Sequence, residues 1–304
     1  MSICVIGSIN QDYVLRVPMT PRPGETVLAH GMRKHAGGKG ANQAVAAARM
    51  GGRVRFVGCV GDDDDGARLL RHLRSEGVDT DDVEIVSGSP TGMAIVSVDG
   101  DGENSIVVVP GANFALTEAR VARVVRRLPP GGVVVLQLEV PVRIVAAAVG
   151  AAAESGLRAV LNLAPYTALP AEVLASCDPL VLNETEASAL LGRPVSTVDD
   201  ALAGAVELTA RARSVVVTLG ALGAVWAGAS SSGAVPARPV AKVVDTTGAG
   251  DAFIGAMCAR LAEGEDLEAA VEVGVAAGSF AVTREGAQAS YPSWADIAGL
   301  TPVE

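Results

Sequence analysis

Hydrophobic positions follow two patterns along most of the chain. Short apolar runs, such as residues 3–7, 54–60 and 133–138, have the length and composition of buried strands. Longer stretches with apolar residues three or four positions apart, such as 142–155, are typical of helices that bury one face. After residue 112 the two patterns alternate regularly. This alternation predicts an α/β fold with a doubly wound, mostly parallel sheet and sites at the carboxyl ends of its strands.

The same two patterns predict the other elements. Glycine after the last apolar residue marks several helix ends, as at Gly51, Gly77 and Gly264. We predict further strands at residues 158–163, 179–182, 215–219 and 240–244. We predict further helices at residues 66–76, 117–127, 184–191 and 199–212, one opened by residues 37–42 that runs to Met50, one that follows residue 251, and one that begins near Asp266.

Two segments do not fit the alternation. Residues 12–36 contain three prolines and two strand-like runs, at 26–30 and 32–35. Residues 91–111 are typical of a hairpin, because two apolar runs flank the Asp-Gly pairs at 99–102. We therefore predict that both segments project as a small second sheet from a single domain that spans all 304 residues.

Charge and cysteine usage narrow the class of protein. Hydrophobic residues make up 49% of the chain and charged residues 19%, which is typical of a globular protein. The net charge of −10 argues against a nucleic acid or an anionic membrane as partner, and no apolar run is long enough to cross a bilayer. The four cysteines have no paired spacing, and the three histidines have no ligand spacing with them. We therefore expect core cysteines in a reducing cytoplasm and no transition-metal site.

Residues 245–251, Asp-Thr-Thr-Gly-Ala-Gly-Asp, are the strongest candidate for chemistry. They stand between a strand-like run and a helix. Gly248 and Gly250 let backbone amides point at an anion there, and the helix start adds partial positive charge. Asp251 stands at the mouth of this anion site, where it can take a proton from an attacking hydroxyl. The alternative is that Asp251 only caps the helix, since Asp is a favoured cap.

Other polar residues and glycines lie at predicted strand ends. Asn10 and Asp12 follow the first strand, and the glycine loop 37–43 opens a helix. These residues suit a hydroxylated ligand or are ordinary turn formers. Residues 183–186 place carboxylates in a first helical turn, where they complement the helix dipole or act on hydrated Mg²⁺. The glycine turn at 218–223 is a candidate place for a nucleotide.

Two of these motifs together resemble the paired signatures of the ribokinase family of sugar kinases. They are residues 38–44, Gly-Lys-Gly-Ala-Asn-Gln-Ala, and residues 245–251. Neither a P-loop nor a dinucleotide-binding fingerprint is present, which argues against a P-loop kinase and a Rossmann dehydrogenase. The resemblance covers essentially the whole chain and implies a ribokinase-like fold in which the small sheet is a lid over a sugar. Further segments resemble the family in the same order, at 7–10, 23–26, 137–139, 183–186 and 283–288.

The resemblance implies phosphorylation of a sugar hydroxyl with ATP and Mg²⁺. The implied catalytic residues are Asp251 as the base and Gly248, Ala249 and Gly250 as the anion hole. The implied sugar-binding residues are Asn10, Asp12, Gly38, Lys39, Gly40, Asn42, Glu139 and Asp251. The implied nucleotide-binding residues are Asn183, Glu186 (near magnesium), Thr218, Gly220, Gly223, Gly250 and Val275, the last standing where relatives often carry Asn or His. Family members also hold a potassium-like ion (K⁺) beside the anion hole, and the matching positions are Asp245, Thr247, Ala281, Arg284, Gly286 and Ser290.

The expected reaction is transfer of the γ-phosphoryl group of ATP to the 5-hydroxyl of D-ribose. Asn10, Asp12, Asn42 and Glu139 favour ribose, whereas the catalytic motif is shared with kinases of deoxyribose, fructose and nucleosides. A non-catalytic sugar sensor on the same fold is the alternative from another class, and the intact Asp251 argues against it. We also expect a homodimer that pairs through the lid.

Overall fold

The structure is a computed structural model that describes residues 2–100 and 104–298. Within these ranges the strands are β1 Ser2–Ile6, β2 Asn10–Arg16, β3 Gly31–Gly37, β4 Arg53–Gly61, β5 Asp79–Val86, β6 Gly92–Val98, β7 Asn104–Val109, β8 Val133–Leu136, β9 Arg158–Asn162, β10 Cys177–Asn183, β11 Val215–Thr218, β12 Ala224–Ala227 and β13 Ser232–Val235. The helices are α1 Lys39–Arg49, α2 Asp64–Ser75, α3 Glu118–Val125, α4 Val142–Glu154, α5 Ala171–Ala175, α6 Glu184–Leu191, α7 Val198–Leu208, α8 Ala249–Glu263, α9 Leu267–Ala281 and α10 Trp294–Ile297.

The main sheet has nine strands in the order β13-β12-β11-β10-β9-β8-β1-β4-β5. All neighbours from β11 to β5 are parallel, and only β12 and β13 are antiparallel to their neighbours. The predicted mostly parallel α/β fold is therefore confirmed. Because the carboxyl ends of parallel strands meet at one edge, the residues that follow β1, β8, β9, β10 and β11 converge there.

Alternation along β1 divides the hydrophobic core between the two faces of this sheet. Ile3 and Val5 pack with residues of α1, α8 and α9, whereas Cys4 and Ile6 pack with residues of α3, α4 and α7. A strand that is covered on both faces needs an apolar residue at every position, which explains the continuous run. The four cysteines are buried and unpaired, as predicted. Over the described ranges, no helix has both the length and the apolar character that a membrane span requires.

A separate four-stranded sheet has the order β3-β2-β6-β7. β2 pairs antiparallel with β3 and parallel with β6, and β6 and β7 form the predicted hairpin. Residues 101 and 102 of its predicted turn lie outside the described residues. Contacts between the second sheet and the main domain include the Tyr13 hydroxyl, which donates to Asp65 Oδ2 at 2.7 Å, and Arg33 Nη1, which donates to Glu285 Oε1 at 2.9 Å.

Two strand predictions are wrong. Residues 240–244 form no strand, and Val243 and Val244 are more than half exposed. The apolar run has no strand beside it to pair with, although Val244 N donates to Val282 O at 2.8 Å. Residues 26–30 also form no strand, because the antiparallel partner of β2 begins only at Gly31.

No strand was predicted over residues 10–16, where β2 lies. The strand β5 was not predicted either. Four of its eight residues are acidic, which is unusual for a strand. It lies at the edge of the main sheet, where charged side chains reach water and discourage pairing with another chain.

Candidate active site

The carboxyl edge of the main sheet carries most of the predicted site residues. Asn10 and Glu139 lie in the segments that follow β1 and β8, and Asn183 and Thr218 end β10 and β11. Asn183 and Thr218 are also register partners across these two parallel strands. The strand order therefore places the sugar candidates on one side of this edge and the nucleotide candidates on the other.

Asp251 lies in the first turn of α8 with only 7% of its surface exposed. Its Oδ2 accepts a hydrogen bond from Asn42 Nδ2 and its Oδ1 accepts one from Gln43 Nε2, each at 2.9 Å. The residue that caps the helix is Gly248, so the alternative role of Asp251 as a simple cap is wrong. The side-chain amides of Asn42 and Gln43, both in α1, instead fix the orientation of its carboxylate at the start of α8.

The glycine turn before α8 has the geometry of a helix-start anion site. Gly248 has a left-handed φ of +77°, and a Cβ there would lie 2.6 Å from the Tyr291 hydroxyl, so the position requires glycine. Gly250 is exposed beside Asp251. Among the predicted anion-hole amides, that of Ala249 donates to Thr246 O at 3.2 Å and so closes the turn.

Close packing of α1 on α8 brings the amides to the carboxylate. A Cβ on Gly255 would contact Ala46 Cβ and would lie 2.7 Å from both Ala47 N and Gln43 O. Glycine and alanine on the facing surfaces therefore let the two helix backbones approach. Gly255 was not singled out in the sequence, where it is one small residue among several in a helix.

Glu139 connects the segments that carry the predicted sugar-binding residues. Its Oε2 accepts hydrogen bonds from Ser8 Oγ at 2.5 Å and from Lys39 N at 3.0 Å. The glycine loop lies directly against the end of β1: a Cβ on Gly40 would lie 2.7 Å from Ser8 N, and one on Gly38 would lie 2.8 Å from Ser8 O. The loop glycines are thus needed for close backbone approach.

The carboxylate of Asp12 is not fully hydrogen-bonded. Its Oδ1 is buried and has no hydrogen-bond partner among the described residues. Burial, together with the nearby carboxylates of Glu139 and Asp251, raises the pKa of Asp12 to about 7. Asn10 lies on the same strand and its Oδ1 accepts from Asn113 Nδ2 at 2.8 Å. Three carboxylates around one cleft suit a ligand that donates several hydroxyl hydrogen bonds.

Asn183 and Glu186 form a capping box at the start of α6. Asn183 Oδ1 accepts from Glu186 N at 2.8 Å, and Glu186 Oε2 accepts from Asn183 N at 2.9 Å. Burial raises the pKa of Glu186, while the Asn183 amide and the charge of Lys39 act against it. For Lys39, burial lowers the pKa, but the carboxylates of Asp251, Glu139 and Glu186 raise it above its ordinary value. Lys39 therefore stays cationic between the sugar side and the nucleotide side.

The turn after β11 supplies the other nucleotide candidates. Gly223 has a φ of +97°, and a Cβ there would contact Val235 O, so this position also requires glycine. Gly220 is exposed, and Thr218 Oγ1 donates to Leu182 O at 3.3 Å. Val275 lies in α9 and is almost fully buried in the core, so its side chain offers little surface to a nucleotide.

Asp245 lies beside two of the other predicted potassium residues. Its Oδ2 accepts from Gly286 N at 2.8 Å and its Oδ1 accepts from Thr247 N at 2.9 Å. Burial raises the pKa of Asp245, but the hydrogen bonds from Thr247 and Gly286 hold it below its ordinary value. Residues 2–100 and 104–298 contain no group of three or more His, Cys, Asp or Glu side chains that could hold a metal ion.

The other three potassium candidates direct their side chains elsewhere. Ala281 is buried, and the Arg284 guanidinium lies over the Phe280 ring, 4.2 Å from its centroid. The Ser290 hydroxyl is fully buried and donates to Ala287 O at 2.7 Å. Backbone carbonyls of these residues and the lone pairs of Ser290 Oγ are therefore the groups left to serve an ion.

Three glutamines for which no role was predicted are buried at the site: Gln43, Gln137 and Gln288. Gln137 Nε2 donates to Gln43 Oε1 at 2.6 Å, and Gln288 Nε2 donates to Asn42 Oδ1 at 2.8 Å. Glutamine is seldom fully buried, so a glutamine inside a run of small or apolar residues is the signal that could have marked them.

Known proteins resemble this chain over nearly its whole length. A sequence model of the pfkB family carbohydrate kinases matches residues 1–294. Ribokinase of Haemophilus influenzae is 38% identical over 96% of this chain and 95% of its own. Deoxyribokinase of Salmonella typhi is 39% identical over 96% of both chains.

Solved structures show the same fold. The structure of Arabidopsis thaliana ribokinase complexed with ribose and ATP matches with a TM-score of 0.92 and 34% identity, covering 100% of this chain and 99% of that one. Phosphofructokinase-2 of Escherichia coli in complex with potassium matches with a TM-score of 0.80 and 26% identity, covering 99% and 98%.

Proposed function

Because the chain belongs to the pfkB family of carbohydrate kinases, we propose that it transfers the γ-phosphoryl group of ATP to the 5-hydroxyl of D-ribose. The products are D-ribose 5-phosphate and ADP. The observation that carries the proposal is the carboxylate of Asp251, held by two amides beside a glycine turn that opens a helix. The similarity to an Arabidopsis ribokinase complexed with ribose and ATP supports the choice of both substrates.

Each part of this arrangement has a role in phosphoryl transfer. Asp251 takes the proton of the attacking hydroxyl, and the exposed amide at Gly250 faces the charge that develops on the phosphoryl oxygens. Lys39 adds a fixed positive charge between the two substrates. Such transfers need positioning and charge stabilisation more than covalent chemistry, which suits a site built from amides, one lysine and one carboxylate.

An assay of ADP release with a panel of acceptors tests the proposal. D-ribose should give the highest kcat/KM, followed by 2-deoxyribose, with fructose and adenosine far behind. The second candidate is phosphorylation of 2-deoxyribose, favoured by the similarity to a Salmonella deoxyribokinase. The spare acceptor of Asp12 favours ribose, because losing one hydroxyl bond to a charged acceptor costs ~1.5–3 kcal/mol. Equal kcat/KM for the two sugars would show that Asp12 does not select ribose over 2-deoxyribose.

We expect sugar use to depend on the ionisation of Asp12. Only the ionised carboxylate accepts from two hydroxyls, and its pKa of about 7 means that it becomes protonated as the pH falls below neutrality. Therefore kcat/KM for ribose should fall below pH 7, approaching about tenfold per pH unit well below the pKa, while KM for ATP stays constant. Initial rates from pH 5.5 to 8.5 measure this.

Asp12→Asn is the matched variant for that profile. It removes the charge and should lower kcat/KM for ribose, and kcat/KM should then change little as the pH falls below 7. If kcat/KM of Asp12→Asn still fell below pH 7 as in the wild type, another group would be responsible for the pH dependence.

We propose that Mg²⁺ acts here as a hydrated ion carried by ATP, with Glu186 beside it. One oxygen of Glu186 is used by the capping box, and the other is left for a magnesium-bound water. In the part of the chain that the structure describes, no group of three or more carboxylates is placed to hold a metal ion, which fits an ion bound mainly through phosphate oxygens and water. When bound, Mg²⁺ neutralises charge on the phosphates.

We propose that K⁺ binds beside the glycine turn and activates the enzyme. Asp245 joins the turn to the loop at Gly286, and the backbone carbonyls of the Ala281–Ser290 region suit a large, weakly hydrated ion. The similarity to a phosphofructokinase-2 structure with potassium supports this. Replacing K⁺ by a bulky organic cation at constant ionic strength should lower kcat severalfold, and Asp245→Asn should blunt that response. Identical rates in both cations would contradict the proposal.

We propose that a second copy of the chain covers the β7 edge of the small sheet. β3 and β7 are its two edge strands, and Ile106, Val107, Val108 and Val109 of β7 are 39–62% exposed. Exposed apolar edges of this kind are normally covered. Sedimentation should give a dimer for the wild type and a monomer for the Ile106→Lys/Val108→Lys variant. Val206→Lys, at an exposed valine of α7, is the control and should remain dimeric.

A further inference from the structure

A continuous chain of side-chain hydrogen bonds runs from α2 to the proposed base. His72 Nε2 lies 2.7 Å from Gln288 Oε1, Gln288 Nε2 donates to Asn42 Oδ1 at 2.8 Å, and Asn42 Nδ2 donates to Asp251 Oδ2 at 2.9 Å. His72 is half-buried, and the other three residues are buried. The proposed reaction gives no role to His72 or Gln288.

The negative charge of Asp251, at one end of this chain of hydrogen bonds, fixes which group donates in each of them. An ionised carboxylate only accepts hydrogen bonds, so Asn42 must turn its NH₂ group to Asp251 and its oxygen to Gln288. Gln288 must then turn its own NH₂ group to Asn42 and its oxygen to His72. The oxygen accepts only from a donor, so His72 must carry a proton on Nε2.

A second chain reaches the other carboxylate oxygen with the same polarity. Gln137 Nε2 donates to Gln43 Oε1 at 2.6 Å, and Gln43 Nε2 donates to Asp251 Oδ1 at 2.9 Å. Gln43 Nε2 also donates to Asn162 Oδ1 at 3.2 Å, which fixes the orientation of its amide. Each carboxylate oxygen of Asp251 therefore accepts from a different chain of side-chain hydrogen bonds.

The backbone of Gln288 is fixed independently of its side chain. Arg49 Nη1 donates to Gln288 O at 2.6 Å and to Tyr291 O at 3.1 Å, and Arg49 is itself paired with Glu76 through two bonds of 2.8 and 2.9 Å. Loss of the His72 contact therefore frees the Gln288 amide to rotate without moving the loop that carries it.

We propose that His72 is a positioning residue for phosphoryl transfer, acting on Asp251 through the amides of Gln288 and Asn42. The donor at His72 selects one orientation of the Gln288 amide, that amide selects one orientation of Asn42, and Asn42 then holds Oδ2 of the base. This inference rests on the proposed role of Asp251 in catalysis.

Imidazole nitrogen NMR shifts at pH 8 test the coupling without any assay of activity. The chain has only three histidines, and His30 and His35 are exposed and serve as internal references. In the wild type His72 should be the Nε2–H tautomer. In Asp251→Asn, the new amide must turn its oxygen to the fixed NH₂ of Gln43 and its NH₂ to Asn42. Each hydrogen bond between Asn42, Gln288 and His72 then reverses its direction. His72 Nε2 must now accept a hydrogen bond, and His72 should shift to the Nδ1–H tautomer. The same tautomer in both proteins would overturn the proposal.

Kinetics of matched variants test the consequence for turnover. His72→Phe should lower kcat about three- to tenfold with an unchanged KM for ATP, and His72→Gln, which keeps a donor, should restore most of it. Gln288→Glu has the same shape but sets an oxygen against Asn42 Oδ1, and should lower kcat about tenfold or more. Arg71→Gln, at an exposed neighbour in α2 whose side chain makes no hydrogen bond or ion pair with another described residue, is the control and should match wild type.

Each result separates this inference from the proposed function. Wild-type kcat in both His72→Phe and Gln288→Glu would overturn the positioning role, even if Asp251→Asn is inactive. An active Asp251→Asn would remove the base from the proposed function, and the tautomer shift would then still decide whether the chain of hydrogen bonds is coupled.

Discussion

Replacement of Asp251 by asparagine is expected to lower kcat about 10²–10⁴-fold, the usual contribution of a general base. Asparagine keeps the shape of the side chain but has no basic oxygen to take the hydroxyl proton. Ribose binding should persist, because Asp12, Glu139 and the loop at Lys39 are unchanged. Steady-state kinetics give the loss in kcat, and calorimetric titration with ribose gives the retained affinity.

Asp266→Asn is the matched control for that variant. Asp266 caps α9 and accepts from Ala269 N at 2.9 Å, and asparagine caps helices about as well as aspartate. Turnover and stability of Asp266→Asn should therefore stay near wild type. If Asp251→Asn behaved in the same way, with turnover within threefold of wild type, Asp251 would have no catalytic role.

Replacement of Gly255 by alanine is expected to lower the free energy of unfolding by about 3 kcal/mol, towards the upper end for overpacking. The added methyl meets backbone atoms of α1 at Ala47 and Gln43, and backbone cannot rotate out of the way. The helices must separate, which moves Asn42 and Gln43 away from Asp251, so kcat should fall as well. Denaturant unfolding and initial rates measure the two effects.

Gly150→Ala is the control for that effect. Gly150 lies in α4 with nothing within 4 Å of the position of a Cβ. There the substitution should raise the free energy of unfolding by about 0.5–1 kcal/mol, since alanine favours helix over glycine. Equal stability of Gly255→Ala and Gly150→Ala would show that α1 and α8 are not in close contact.

The parts of the site that lie in one local motif could be predicted from the sequence. A glycine turn followed by a helix carries its own signals, and so the start of α8 with Asp251 in its first turn was predictable. The alternation of apolar strands and amphipathic helices likewise predicted the parallel sheet. Because the carboxyl ends of parallel strands lie at the same edge of a sheet, the placement of Asn10, Asn183 and Thr218 along that edge could also be predicted.

The parts that depend on distant packing could not be predicted. Residues 240–244 have the composition of a strand, but no neighbouring strand is available to pair with them. β5 has the composition of a loop, yet the free edge of the sheet accepts it. The hydrogen bonds from Asn42 and Gln43 to Asp251 depend on how closely α1 packs on α8. That distance is set by Gly255, whose identity alone says nothing about its neighbours.

The hydrogen bonds around Asp251 join parts of the chain that are made at very different times during synthesis. Asn42 is separated from Asp251 by 209 positions and from Gln288 by 246. At ordinary rates of translation the first interval alone lasts roughly 10–40 s. A nascent chain therefore carries Asp12 and the loop at residues 37–43 long before it carries Asp251, the proposed base, or the glycine turn before it. Such a chain can meet sugar or ATP without transferring phosphate between them, and kinase activity begins only when the last quarter of the sequence has folded against the first.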